Sequence, residues 1–242
     1  MARMIYFSIL RMLRGYSAII LLFVVPLAII TLLSLIVGNE YSVEGLSSRQ
    51  YIAMTMVIVF QLFSGNYAMF YIHADLVKLR RWKIQSLPVS LFKYSAAILF
   101  ASTFFSTLQG LLLVLYTRLL FGVEWGNYAW LLLIIVTLSL LSQFVHLTMV
   151  FSTSTISMAE RFTEIYGIGF ILLAGIIFPM PVWPVIEWIN GFLNPITLAQ
   201  SALMGPVAQI DYGNPYASLL LLIVQLLLFA VLSAVLGRRR LS

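Results

Sequence analysis

The chain has two histidines, His73 and His146, eight acidic residues and no cysteine, so few reactive constellations can be built from it. Zinc needs clustered His, Cys or carboxylate ligands. His73 stands at the end of one apolar run and His146 inside another, with no ligand cluster beside either, so no metal site is expected. The absence of cysteine removes disulfide and thiol chemistry. Asp75 and Asp211 are separated by three apolar runs, an odd number of membrane crossings, and cannot meet as an aspartyl dyad. Gly45-Leu46-Ser47 lies in a short connection and not on a strained elbow beside a histidine, which argues against serine-type proteolysis. Neither His-Glu-x-x-His nor Gly-x-x-x-x-Gly-Lys-Ser/Thr occurs, so the chain has no P-loop of its own for ATP.

Two kinds of residue remain as candidates. The first is an island of charge at 75–90, reading Asp-Leu-Val-Lys-Leu-Arg-Arg-Trp-Lys-Ile-Gln-Ser-Leu-Pro-Val-Ser. With Lys93 it holds Asp75, Lys78, Arg80, Arg81 and Lys83, in a sequence that is 62% hydrophobic and 9% charged. A charged side chain at the bilayer centre costs about 2.5 to 3.5 kcal/mol on the gentlest insertion scale, so this segment lies in water or against another protein. The second kind is polar residues inside apolar runs. Gln61, Ser64 and Asn66 share one run. Ser95, Ser102, Ser106 and Gly110 recur in the next, with Thr103 and Thr107 beside them, and small residues at that spacing let helices approach closely. Ser139, Ser142, Gln143 and His146 recur at three- and four-residue intervals and form one stripe, which faces protein or water and not lipid. Interhelical hydrogen bonding and the lining of a transport path are both open readings for Gln61, Ser64, Asn66, Gln143 and His146.

The elements that must position these residues follow from hydropathy. The chain of 242 residues has a mean hydropathy of +1.04, which fits an integral membrane protein and neither a soluble nor a disordered domain. A hydrocarbon core of about 30 Å needs about 20 apolar residues at a rise of 1.5 Å each. Runs at 17–37, 51–72, 94–121, 128–151, 164–178 and 217–236 qualify, the fifth continuing into an interrupted piece. An even number of crossings puts both termini on one side. Of the 14 basic residues, all but Arg49 and Arg118 then share that face, which the positive-inside rule makes cytoplasmic. Because the basic residues flank spans, the net charge of +6 points to membrane lipid and not to nucleic acid. Arg238 to Arg240 reads as a stop-transfer anchor at the anionic leaflet. Glu160, Arg161 and Glu164 are expected in the second cytoplasmic connection.

Residues 1–15 are not a cleavable signal, since the run that follows is too long and no small-x-small site ends it. On a helical wheel Arg3, Arg11 and Arg14 share an arc opposite Ile5, Ile9, Met12 and Leu13, which predicts a helix lying in the interface; a helix continuous with the first span is the alternative. Pro26 is expected to kink that span. Pro179, Pro181 and Pro184 forbid one continuous helix through the fifth, so 179–203 is expected to enter the outer leaflet as two short helices and turn back. Trp183 and Trp188 suit the interface.

Three stretches resemble the type-2 permease family of ABC transporters. The segment 75–90 has the family's acidic start, basic amphipathic middle and Leu87-Pro88-Val89-Ser90 close. Ala174-Gly175-Ile176-Ile177-Phe178-Pro179 is similar to its Ser-Gly-x-x-Phe-Pro, and Asn194-Pro195-Ile196-Thr197 to its Asn-Pro-Leu-Thr. Leu79-Arg80 stands where many members have Gly-Thr. The resemblance implies that 75–90 is a coupling helix docking on a separate cytoplasmic ABC ATPase subunit, through Asp75, Lys78, Arg80, Arg81, Trp82, Lys83, Leu87 and Pro88. Trp82 would be a buried anchor of that contact. It also implies a second permease copy or paralogue, ATP and Mg on the partner and none on this chain, outward transport, and a bacterial plasma membrane.

The expectation is thus one all-α permease domain, 1–242. It has six transmembrane helices, an N-terminal interfacial helix and a re-entrant hairpin marked by Phe178, Pro179, Asn194 and Pro195. The cargo is an amphipathic peptide, a drug or a lipid-like molecule. A membrane protein that binds a toxic peptide and confers immunity without transport is the alternative, and an intramembrane enzyme the third reading.

Overall fold

Long runs of Leu, Ile, Val and Phe become helices because lipid offers no partner to a backbone N–H or C=O, and a helix satisfies them within its own segment. The computed structural model describes residues 2–37, 42–43, 45–77, 81–86, 90–208 and 213–241. Helix α1 (Ala2–Leu13) is followed by α2 (Tyr16–Val37), a two-residue ribbon β1 (Ser42–Val43) and β2 (Leu46–Ser47), α3 (Ser48–Phe63) and α4 (Asn66–Ile72). A π-helical turn, His73–Val77, ends α4 and leads to the short α5 (Arg81–Gln85). Then come α6 (Leu91–Phe121), α7 (Tyr128–Ser152), α8 (Ile156–Leu173), α9 (Pro184–Phe192), α10 (Pro195–Met204) and α11 (Pro215–Leu241).

Helix starts are set by capping side chains that take up orphan amides. Ser90 accepts from the Lys93 amide, Asn127 from those of Ala129 and Trp130, and Thr155 from that of Met158. Gly122, with φ of 64°, closes α6 in the left-handed region that glycine enters without strain.

Helix α7 is the hub. It packs against α11, α6, α3, α4, α8 and α10. The most apolar windows of α2 and α11 are only 17% buried, against 72% for α7, so these two helices form the perimeter and leave broad faces for lipid or another chain. One core cluster joins α3, α7, α10 and α11, and a second gathers Met12, Ile72, Leu76, Ile98 and Phe151 at the end of the molecule where α1 lies.

Several expectations shift. The second run is a single apolar stretch long enough to cross a membrane, Ser48–Val77, but a two-residue turn at Ser64 and Gly65 divides it into α3 and α4. Arg14 and Gly15 separate α1 from α2, so the alternative of one continuous helix does not hold, and Pro26 lies inside α2. Among the described residues five helical stretches, Ser48–Val77 counted as one, are long and apolar enough to cross a membrane, where six were expected. Helix α8 has 18 residues but opens with Glu160, Arg161 and Glu164 inside its first turns, where the sequence placed them in a connection. It starts eight residues before the expected 164, because the Thr155 cap and not hydropathy fixes its start.

The expected hairpin divides into α9, without a buried residue, and α10, most of which is buried against α3, α7 and α11. Its apex is Asn194, which is fully buried. Its Nδ2 donates to the Phe170 carbonyl at 3.0 Å and to Asn190 Oδ1 at 2.9 Å, and its Oδ1 accepts from the Ile196 amide at 3.0 Å. Asn190 Nδ2 in turn donates to the Leu173 carbonyl at 2.7 Å. Two asparagines thereby satisfy the open end of α8. Pro195 is the first residue of α10, where a missing N–H does no harm, while Phe178 and Pro179 are exposed.

Candidate functional site

Two polar assemblies organise the interior. The first is a seam across α3, α4, α6 and α7. Gln61 Nε2 donates to the Ser106 carbonyl at 3.0 Å, and Gln61 Oε1 accepts from Ser106 at 3.0 Å and Ser139 at 2.8 Å. Ser106 Oγ also lies 2.5 Å from Ser64 Oγ. Ser102 donates to Gln143 Oε1 at 3.1 Å. At the break, the Gly65 amide donates to Ser142 Oγ at 2.8 Å, and that hydroxyl donates to the Leu62 carbonyl at 2.5 Å. The broken helix is therefore held by the hydroxyl of a neighbour, which is how irregular backbone survives inside lipid. Gly65 itself is required by close approach: a Cβ there would collide with the His146 ring and the Ser142 carbonyl.

Of the transport-path candidates, Gln61, Ser64, Gln143 and His146 are buried in this seam. His146 Nδ1 meets the Ser142 carbonyl at 2.8 Å, and its Nε2 has no partner among the described residues. Ser64 and Asn66 also line a cleft of about 240 Å³ between α2, α3, α4 and α6, walled by Phe60, Phe63 and Phe70. Gln109 and Tyr67 line it too, and Gln109 Oε1 and Tyr67 Oη are buried without a partner among the described residues. Sequence reading missed both. The signal was present for Gln109, which continues the stripe of Ser102 and Ser106 at three-residue spacing.

The second assembly is a clamp at the charged end, where α1, the π-helical turn His73–Val77 and the start of α6 meet. Asp75 is fully buried in the π-helical turn. It forms an ion pair with Arg11 of α1, in which Arg11 Nη2 donates to Asp75 Oδ1 at 3.0 Å. Tyr94 of α6 donates its hydroxyl to Asp75 Oδ2 at 2.8 Å. The Arg11 guanidinium also lies 4.5 Å from the centre of the Tyr71 ring, a cation–π contact. Burial opposes the Arg11 charge, but the hydrogen bond to Asp75 and the field of its carboxylate outweigh this and raise the guanidinium above its usual range. Arg11 thus leaves the polar arc it was expected to share with Arg3 and Arg14.

The expected contact residues separate by position. Asp75 faces inward and supports the segment. Trp82 is 75% exposed and Lys83 is exposed on α5. Lys78, Arg80, Leu87 and Pro88 lie outside the described residues, as does the side chain of Arg81. The partners of Asp75, Arg11 and Tyr94, were not legible in advance, since Arg11 is 64 residues away in sequence. Among the described residues, no three His or acidic side chains lie close enough to share a metal ion.

A model of the ABC-2 type transporter family matches residues 2–207 of the chain. No curated protein matches it.

Proposed function

The chain belongs to the ABC-2 type transporter family, and on that premise we propose that it is the permease of an ATP-driven exporter, paired with a second permease and served by two cytoplasmic ATP-binding subunits. Family membership itself makes it a membrane-embedded transport permease subunit. The proposed cargo is an amphipathic peptide, drug or lipid-like molecule, moved out across a bacterial plasma membrane with both termini inside. ATP and Mg²⁺ are bound by the partner.

The observation that carries this reading is the contrast between Asp75 and Trp82. Seven residues apart, one is fully buried and tied to α1 and α6, while the other is 75% exposed on a short helix. A large exposed aromatic on a firmly seated support is suited to accept force. Aromatic residues in such positions anchor protein contacts. Closure of the ATPases would push on α5 and on Arg80, Arg81, Trp82 and Lys83. The push would pass through the π-helical turn to α4, and through Asp75 to α1 and α6. The cleft lined by Ser64, Asn66, Tyr67 and Gln109, neutral and partly aromatic, supports an amphipathic cargo. The weakly buried α2 offers a face for the second permease.

The test is ATP turnover by the cognate ATP-binding subunit, co-expressed with this chain in lipid, for wild type, Arg80→Glu/Arg81→Glu and Trp82→Ala. The expected outcome is a stable wild-type complex whose hydrolysis is uncoupled, or whose ATPase is released, in the variants. If no ATPase co-purifies with the wild type, the exporter reading fails and the immunity reading replaces it.

A further inference from the structure

A groove of about 650 Å³ opens at the charged end, between α6 and α11. Both helices pack on α7 and scarcely touch one another, so α7 forms its floor through Phe144, Leu147 and Phe151. The walls are Ala96 and Leu99 on one side and Ala230 and Ala234 on the other. Two hydroxyls line it, and both are turned back on their own helices: Ser95 donates to the Leu91 carbonyl and Ser233 to the Ala230 carbonyl, each at 2.9 Å. The interior therefore offers a guest nothing but hydrocarbon.

The mouth differs. Arg238, exposed, lines it as the first of three arginines in the last turn of α11, and among the described residues no carboxylate lines the groove. Phe92, 78% exposed, forms the opposite lip, followed by the exposed Lys93. A fitting guest has an apolar body and an anionic head. A transmembrane helix, about 10 Å across and 30 Å long, is several times too large for this space, whereas an acyl chain is not.

We propose that this groove seats one anionic phospholipid of the cytoplasmic leaflet, its acyl chain on Phe144, Leu147 and Phe151 and its phosphate on Arg238. The choice of leaflet rests on the reading that this end is cytoplasmic, where anionic lipids attract basic residues next to spans. Because the groove shares Ile72 and the first turns of α6 with the surroundings of the clamp, the lipid would brace the same end that receives force from the ATPase.

The test is native mass spectrometry of the full chain, delipidated in detergent and titrated with dioleoyl phosphatidylglycerol or dioleoyl phosphatidylcholine. One phosphatidylglycerol per chain should be retained at concentrations where phosphatidylcholine is not. Arg238→Gln should weaken that retention about fivefold, the ratio that about 1 kcal/mol per cation at an anionic surface gives. Ala96→Phe/Ala234→Phe, which fills the groove, should abolish it, while Arg3→Gln should leave it unchanged. Equal retention of the two lipids, or retention of phosphatidylglycerol in the filled variant, overturns the proposal. So does loss of a chain dimer in the filled variant with lipid retention intact, which would give the groove to a second copy. Arg238→Gln alters an exposed side chain and keeps the test decisive if the filled variant misfolds. A C-terminal tag labelled from outside intact cells would overturn the choice of leaflet and the proposed topology, while the detergent titration reads the groove independently.

Discussion

The seam and the clamp solve the problem of burying polar groups with opposite materials. In the seam, neutral amides and hydroxyls of Gln61, Ser64, Ser102, Ser106, Ser139, Ser142 and Gln143 join helices in the middle of the apolar runs. In the clamp, a full pair of charges joins segments 64 residues apart. Removing a neutral group from water is a moderate penalty that one or two hydrogen bonds offset, whereas a buried charge needs a charged partner as well. The pair therefore sits at the end of the bundle, where Arg11 keeps 34% of its side chain exposed. Many weak bonds fix the register of the helices, and one strong tie fixes the support beneath α5.

Four substitutions break or sharpen this contrast, and the largest effect is expected at Gly65→Ala. The added Cβ meets the backbone carbonyl of Ser142, which cannot swing aside, so the loss should be about 3 kcal/mol, the upper end for overpacking. Thermal unfolding of the purified protein, followed by size-exclusion chromatography, checks it; an unchanged midpoint would mean the helices do not cross closely there.

Asp75→Ala comes next. Breaking a fully buried pair costs about 3 to 5 kcal/mol, but Arg11 is one-third exposed and its orphaned charge can find water, so roughly 2 kcal/mol is expected. A double-mutant cycle with Arg11→Ala isolates the pair, and a coupling near zero would demote the clamp to incidental contact.

Gln61→Leu removes bonds to Ser106 and Ser139 and should cost about 1 kcal/mol, in line with single interhelical bonds in membranes. A value as large as that for Asp75→Ala would erase the distinction between many weak bonds and one strong tie.

Trp82→Ala should change stability least, within about 0.5 kcal/mol, as an exposed position. The same variant should lower ATPase stimulation at least tenfold, the scale of about 1.4 kcal/mol for an interface anchor. A melting shift without a change in turnover would make Trp82 a structural residue.

Most of the apolar runs were legible to within a few residues, the fifth being the exception. Expected spans at 94–121 and 128–151 correspond to Leu91–Phe121 and Tyr128–Ser152, because lipid compatibility and capping are local properties. The two-helix reading of 179–203 corresponds to α9 and α10, since three prolines and the Asn194-Pro195 start are local signals too. What escaped was non-local. Ser64-Gly65 permits a break in the second run, but the group that makes it tolerable, Ser142, lies 77 residues from Gly65. A helical wheel placed Arg11 with Arg3 and Arg14 because it holds only one helix and cannot see Asp75.

By itself, the sequence determined an all-α membrane protein, the approximate bounds of its apolar runs and the sorting of most of its charges to their ends. Those follow from the free energy of moving each residue between water and lipid, a sum over residues that needs no neighbours. Only the tertiary structure decided which polar groups face inward and what they touch. It buried Asp75 against Arg11 and Tyr94 and set Gln61, Ser106 and Ser139 within hydrogen-bond reach. Hydrogen bonds and ion pairs act over about 3 Å, so their partners exist only once the helices have packed.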